Sequence, residues 1–143
     1  MNFKLTIQAD PLEVRRASTW LQQIAEQYTI PANPLTRLDL CLNEALANIL
    51  FHGGNSALTA PIYLDFQLCR QAAMHYATII ISDAGVKFDM LSTEEKQRPK
   101  TLAEAEPGGL GLIMLRNFTD DLYYDYQDGR NQLKLSIQWT ETV

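Results

Sequence analysis

Between Leu38 and Gly54 the chain reads LDLCLNEALANILFHGG, with Leu38, Cys41, Leu42, Ala45, Leu46 and Ile49 recurring three and four positions apart. That period draws an apolar stripe along one helix, begun near Asn33-Pro34 and stopped at Gly53-Gly54-Asn55. The same spacing predicts an earlier helix. Leu12, Val14, Ala17, Trp20, Leu21, Ile24 and Ala25 follow Asp10-Pro11, an N-cap residue and a first-turn proline, and the pattern runs out near Tyr28. A third helix spans Leu110 to Phe118. Elsewhere the period is two. Phe3 to Ile7, Pro61 to Cys69, Asp121 to Tyr126 and Gln132 to Trp139 read as strands, the last two joined at Asp128-Gly129. Tyr76 to Ser82, YATIIIS, is β-branched and almost continuously apolar, as a central strand requires.

The order β-α-α-β-β-loop-α-β-β predicts an α+β two-layer sandwich, a mixed, mostly antiparallel sheet with all helices on one face. No repeat or composition break divides the chain, so residues 1–143 are expected to form a single domain. From Val86 to Pro107 the periodicity dissolves into charged residues, a stretch long enough to suggest a functional lid.

Composition removes several function classes. The formal net charge of −5 gives no broad cationic surface for nucleic acid. No apolar run approaches the ~18–20 residues that cross a bilayer, and the polar alternation of MNFKLTIQAD is unlike a signal peptide. Cys41 and Cys69 stand apart, without metal-ligand spacing. A cytoplasmic protein without disulfides or structural zinc is expected.

Three patches carry candidate chemistry. Glu44, Asn48 and His52 lie four apart on the long helix and so share one seam of it. Asp83 with Gly85 ends the central strand. Gly108-Gly109-Leu110-Gly111-Leu112 opens the third helix. Taken singly, each has an ordinary explanation: a helix-edge pair, an Asp-Gly turn, the end of a loop. Gly108 to Gly111 is followed by no Lys-Ser/Thr and preceded by no strand, which sets it apart from a P-loop and from a dinucleotide fingerprint. Taken together, the patches supply the parts of a nucleotide site. A glycine-led helix start offers N–H groups to phosphate. A helix amide can give one oxygen to Mg²⁺. A carboxylate one turn earlier can accept a proton from an attacking hydroxyl. A strand-end carboxylate can accept from an exocyclic amino group such as adenine's.

These residues resemble those of a known family. Glu44-Ala-Leu-Ala-Asn48 with His52 looks like the N box of the GHKL (Bergerat-fold) ATPases, Asp83-Ala-Gly85 with Phe88-Asp89 like their G1 box, and Gly109-Leu110-Gly111-Leu112 like their G2 box. Order and spacing are most similar to the small anti-sigma-factor serine kinases, and Leu122 to Leu135 with its Asp128-Gly129-Arg130-Asn131 turn is similar too. The resemblance implies a histidine-kinase-like ATPase domain that binds ATP with Mg²⁺ and phosphorylates a serine of a small antagonist, a STAS-like anti-anti-sigma protein. Its other partner would be a sigma factor or similar regulator, and its first strand could offer an edge to a homodimer. The resemblance makes Glu44 the catalytic base, Asn48 the Mg²⁺ ligand, Asp83 the adenine reader with Gly85 beside it, and Gly109 and Gly111 the phosphate cradle. His52, Phe88, Gly108, Leu110 and Leu112 complete the nucleotide contacts. The G1 box departs from Asp-x-Gly-x-Gly at Lys87, which could reach a phosphate or simply be solvated. The alternative reading is a non-catalytic module in which nucleotide sets the shape of a protein-binding surface.

Overall fold

The computed structural model describes residues 1–92 and 109–141. In chain order these form β1 (Asn2–Ile7), α1 (Pro11–Tyr28), α2 (Ala32–His52), α3 (Gly54–Thr59), β2 (Ile62–Gln71) and β3 (Met74–Asp83). A 3-10 turn at Met90–Ser92 follows, then α4 (Gly109–Phe118), β4 (Asp121–Gln127) and β5 (Arg130–Thr140). Local chemistry sets the ends of α1. Asp10 stays extended and its carboxylate accepts a 2.7 Å hydrogen bond from the Leu12 N–H. At the other end Thr29 turns left-handed (φ 57°) and donates its N–H to the Ala25 carbonyl.

The five strands lie in the order β1-β2-β3-β5-β4, with β3 in the middle as its apolar sequence predicts. Every pairing is antiparallel, so the sheet has none of the parallel content that a mixed sheet would carry. Alternate residues of the strands face the helices. Leu64, Phe66, Ile79, Ile81, Leu135 and Ile137 are buried there against Leu38, Leu42 and Leu46 of α2 and Leu21 of α1. The apolar stripe of α2 is therefore what joins the two layers, and its period decided which face turned inward.

One expectation is corrected. Gly53 closes α2, but Gly53-Gly54-Asn55 does not end the helical region. Gly54 takes φ 68°, the chain changes direction, and a short helix continues to Thr59. Ala57 of that helix is buried beside Gly53, where an added Cβ would lie 2.4 Å from the Ala57 Cβ. The described part of the expected lid, residues 86–92, packs back on the domain through the buried Met90. The remainder of that stretch lies outside the described residues.

Cys41 sits in the buried stripe, and burial pushes its thiol up to about 11, while Cys69 is exposed on β2. A thiol reagent at pH 8 is expected to modify Cys69 alone in the native protein and Cys41 only after unfolding. Two fast-reacting thiols in the native state would contradict this burial.

Candidate functional site

On α2 the polar seam breaks an otherwise buried face. Asn48 is 6% exposed and its Nδ2 donates to Glu44 Oε1 over a long 3.4 Å. Its carbonyl oxygen has no partner among the described residues and is not sealed from solvent, and Asn48 lines the cavity. Glu44 is half-buried. Desolvation holds its carboxyl above the usual carboxylate range, and the Asn48 bond opposes this only in part. His52, one turn further on, stacks on Phe88 with ring centroids 4.5 Å apart and 18° between planes.

Across the cavity, β3 ends in Asp83, itself 6% exposed. Its Oδ1 accepts from the Gly85 N–H at 2.8 Å and from Asn131 Nδ2 at 3.1 Å. The turn that follows is docked on the end of α2, since the Val86 N–H donates to the Gly53 carbonyl at 3.0 Å. Gly85 has no room for a side chain there: a Cβ would lie 2.9 Å from the Gly53 Cα and 2.8 Å from Asp83 Oδ1. Arg130 secures the same corner from the sheet's other side. It donates to Ser82 Oγ (2.7 Å), to the Ser82 carbonyl (2.9 Å) and to the Pro61 carbonyl (2.7 Å), and its guanidinium lies 4.4 Å over the Tyr63 ring. Tyr124, which donates to Asn131 Oδ1, has its hydroxyl held above its ordinary range, first by burial and then by the charge of Asp89.

Asn48, His52, Asp83 and Phe88, all expected site residues, line one cavity together with Asn131 and Tyr124; it encloses about 430 Å³ counting its open mouth. Glu44 joins it through Asn48. At the start of α4, Gly111 rests against Glu44 so closely that a Cβ would fall 1.7 Å from Glu44 Oε1. Gly109 and Leu110 lie in the first turn of α4. Leu112 is 2% exposed, so it can offer a ligand little beyond its backbone. Gly108 lies outside the described residues. Lys87 is exposed and its Nζ stands 5.4 Å over the Tyr126 ring, not at the cavity lining. Among the described residues no three His, Cys, Asp or Glu side chains gather to hold a metal. Asn131, Tyr124 and Arg130 were not expected. The signal for Asn131 was its place two residues after the Asp128-Gly129 turn, but only the strand register sets it opposite Asp83.

This sheet, backed by helices and with its cavity between α2 and the end of β3, has the architecture of an ATPase domain. The chain belongs to the histidine kinase-like ATPase domain family, whose match spans residues 7–137. It is 34% identical over 118 residues to the serine/threonine-protein kinase BtrW of Bordetella bronchiseptica, covering 82% of this chain and 80% of that one. It is 27% identical over 133 residues to the serine-protein kinase RsbW of Listeria innocua, covering 87% and 82%. With the anti-sigma F factor of Bacillus licheniformis it shares 30% identity over 93 residues, 64% of this chain, and spans 60% of that protein's length. Solved structures of similar fold include the RsbU and RsbW domains of a Mycobacterium tuberculosis protein, with TM-score 0.66 and 14% identity, covering 96% of this chain and 32% of that one. The SiaB–SiaC complex of Pseudomonas aeruginosa matches with TM-score 0.58 and 12% identity, covering 96% and 89%. No described helix is long and apolar enough to cross a membrane.

The two glycines make opposite demands. At Gly85 a methyl meets the Gly53 backbone, which cannot step aside, whereas at Gly111 it meets only the side chain of Glu44, which can turn about its own torsions. Gly85→Ala is expected to cost about 1–3 kcal/mol in urea unfolding, and Gly111→Ala under about 1 kcal/mol. Equal losses would show that the Glu44 carboxylate is not free to move.

Proposed function

We propose that the chain is an ATP-dependent serine/threonine protein kinase acting as an anti-sigma regulatory factor in the cytoplasm. It binds ATP with Mg²⁺ and phosphorylates a serine of a small anti-anti-sigma, STAS-like protein, and its second partner is a sigma factor or similar regulator. The observation that carries this reading is the pairing of Glu44 with Asn48 at the cavity edge, under a helix start that has no side chain at Gly111. The relatives, two protein kinases and an anti-sigma factor, agree with it.

Each residue then has a task. Asp83 keeps Oδ2 free of protein partners among the described residues, as an acceptor for the exocyclic amino group of adenine. His52 and Phe88 flank the cavity with their stacked rings. The start of α4, from Gly109, presents N–H groups to phosphate oxygens. Asn48, with its open carbonyl oxygen, would hold Mg²⁺, which otherwise keeps waters and phosphate oxygens. When bound, Mg²⁺ neutralises charge on the transferring phosphoryl group. Glu44 takes the proton from the attacking serine hydroxyl as the new oxygen–phosphorus bond forms and the bond to ADP breaks. Burial raises the proton affinity of Glu44 and so makes it a stronger base. The open edge of β1 is available for a homodimer.

The test is transfer from γ-labelled ATP to the serine-bearing antagonist. Glu44→Gln is expected to lower transfer by about 10²–10⁴-fold while Mg-ATP still raises the melting temperature. Protein that binds Mg-ATP but transfers nothing to any partner would favour the non-catalytic module and overturn the kinase reading. The sign of the pH dependence follows from the raised pKa. The base must be deprotonated, so transfer rises with pH through a midpoint above the usual carboxylate range. A flat profile down to ordinary carboxylate values would remove Glu44 from this role.

A further inference from the structure

Asn131 spends its whole hydrogen-bonding capacity on the corner that holds Asp83. The side chain is 7% exposed and pairs in register with Asp83 across β3 and β5. Its Nδ2 donates to Asp83 Oδ1 at 3.1 Å, to the Val86 carbonyl at 3.0 Å and to the Gly85 carbonyl at 3.3 Å. Its Oδ1 accepts from the Phe88 N–H at 3.0 Å and from the Tyr124 hydroxyl. Turned over, the amide would set its oxygen against three acceptors and its NH₂ against the Phe88 N–H, so only one orientation is satisfied. The consequence falls on Asp83. Two donors, the Gly85 N–H and Asn131 Nδ2, converge on Oδ1, while Oδ2 has no partner among the described residues and is not sealed from solvent. A carboxylate has two equivalent oxygens and a soft terminal torsion. Here the neighbours make the oxygens unequal.

We propose that Asn131 is a positioning residue for base selection: by pinning Oδ1 of Asp83 it turns Oδ2 into the cavity as a bare acceptor, so that a purine with an amino group at C6 is chosen over one without it. The inference rests on the reading of Asp83 as the base-contacting residue. A C6 amino group donates to Oδ2, a C6 hydrogen offers nothing, and a C6 oxygen would face Oδ2 acceptor to acceptor. Without Asn131 the Asp83 carboxylate can rotate and satisfy itself with water, and the distinction fades. Tyr124 acts one step further back, through Asn131 Oδ1.

The experiment measures binding of Mg-ATP and of Mg-purine riboside triphosphate, which lacks the 6-amino group, to the full chain by calorimetry. Wild type is expected to prefer ATP by about 10–100-fold, the range for a hydrogen bond to a charged group. In Asn131→Ala and Asn131→Ser that preference is expected to shrink to about threefold or less, chiefly through weaker ATP binding, with the analogue's affinity little changed. Tyr124→Phe is expected to reduce the preference partially, and it decides the matter if thermal melts show both Asn131 variants unfolded. A merely structural role would weaken both ligands alike and keep the ratio, which overturns the inference. A wild type that binds both ligands equally would instead overturn the assignment of Asp83, and this inference with it. Asp83→Asn marks the floor, since an amide in place of Oδ2 removes the acceptor charge.

Discussion

Where the last turn of α2 meets the turn after β3, Gly53 and Gly85 come together so closely that Gly85 could not carry a side chain, and Gly53 is closed to one by Ala57 and Ile49. A Cβ on Gly85 would sit 2.9 Å from the Gly53 Cα, and one on Gly53 would sit 2.6 Å from the Ile49 carbonyl oxygen. The Val86 N–H closes this contact on the Gly53 carbonyl. Everything at the site depends on that approach. Asn48 and His52 stand on the helix and Asp83 on the sheet. They face one cavity because the two elements touch at backbone distance beyond it. A larger residue at Gly85 would wedge the layers apart at the place where their polar residues meet.

Removing polar side chains from water is unfavourable unless their hydrogen bonds are replaced, at a cost of about 1–3 kcal/mol for each group left unpaired. Among the described residues, those buried polar side chains are Asn48, Ser82, Asp83 and Asn131, and all four lie at this corner. Ser82 is held by Arg130, Asn131 by five partners, and Asp83 through one of its oxygens. Two acceptors are left over, Asp83 Oδ2 and the Asn48 carbonyl oxygen, and neither is sealed away from solvent. A purely structural network would have consumed them. Both stay open in a region otherwise so completely bonded, which is the arrangement the proposed nucleotide site requires.

The elements that periodicity could read were those whose environment is one-sided. The α2 stripe and the alternation of β2 were plain because each residue either faces the other layer or does not. For the same reason Asn48 stood out: an amide on a helix seam that packs against a sheet has to be accounted for. Asp83 was legible as the charged end of an apolar strand. What escaped was set by geometry between distant segments. Asn131 looks like any residue after a turn until the β3–β5 register places it opposite Asp83. The closeness of Gly53 and Gly85 leaves no local trace, since glycines near turns are ordinary. The continuation of the chain into α3 turned on the positive φ of Gly54 and on the fit of Ala57 beside Gly53, and no periodic signal exists in six residues. Lys87 could not be placed because its partner, Tyr126, belongs to a strand some forty positions later.

The two ends of the site are mounted differently, and the chemistry follows the mounting. The Asp83 end is held by the sheet, through strand register, Arg130 and Asn131. The Glu44 end is formed by α2 and α4, and α4 is tied down through the buried Leu115, the Arg37 bond to the Phe118 carbonyl and the Arg116 bond to the Leu91 carbonyl. At that second end the residue facing Glu44 is glycine. Any side chain able to donate a hydrogen bond there would stabilise the carboxylate and lower its proton affinity. Gly111 takes up no space and donates nothing from a side chain, and Asn48 reaches Glu44 only over 3.4 Å. Burial is then free to raise the affinity of Glu44 for a proton. A carboxylate left with so little support keeps its raised proton affinity, as the proposed role of a base requires, and the small residue across from it adds no donor that would lower it.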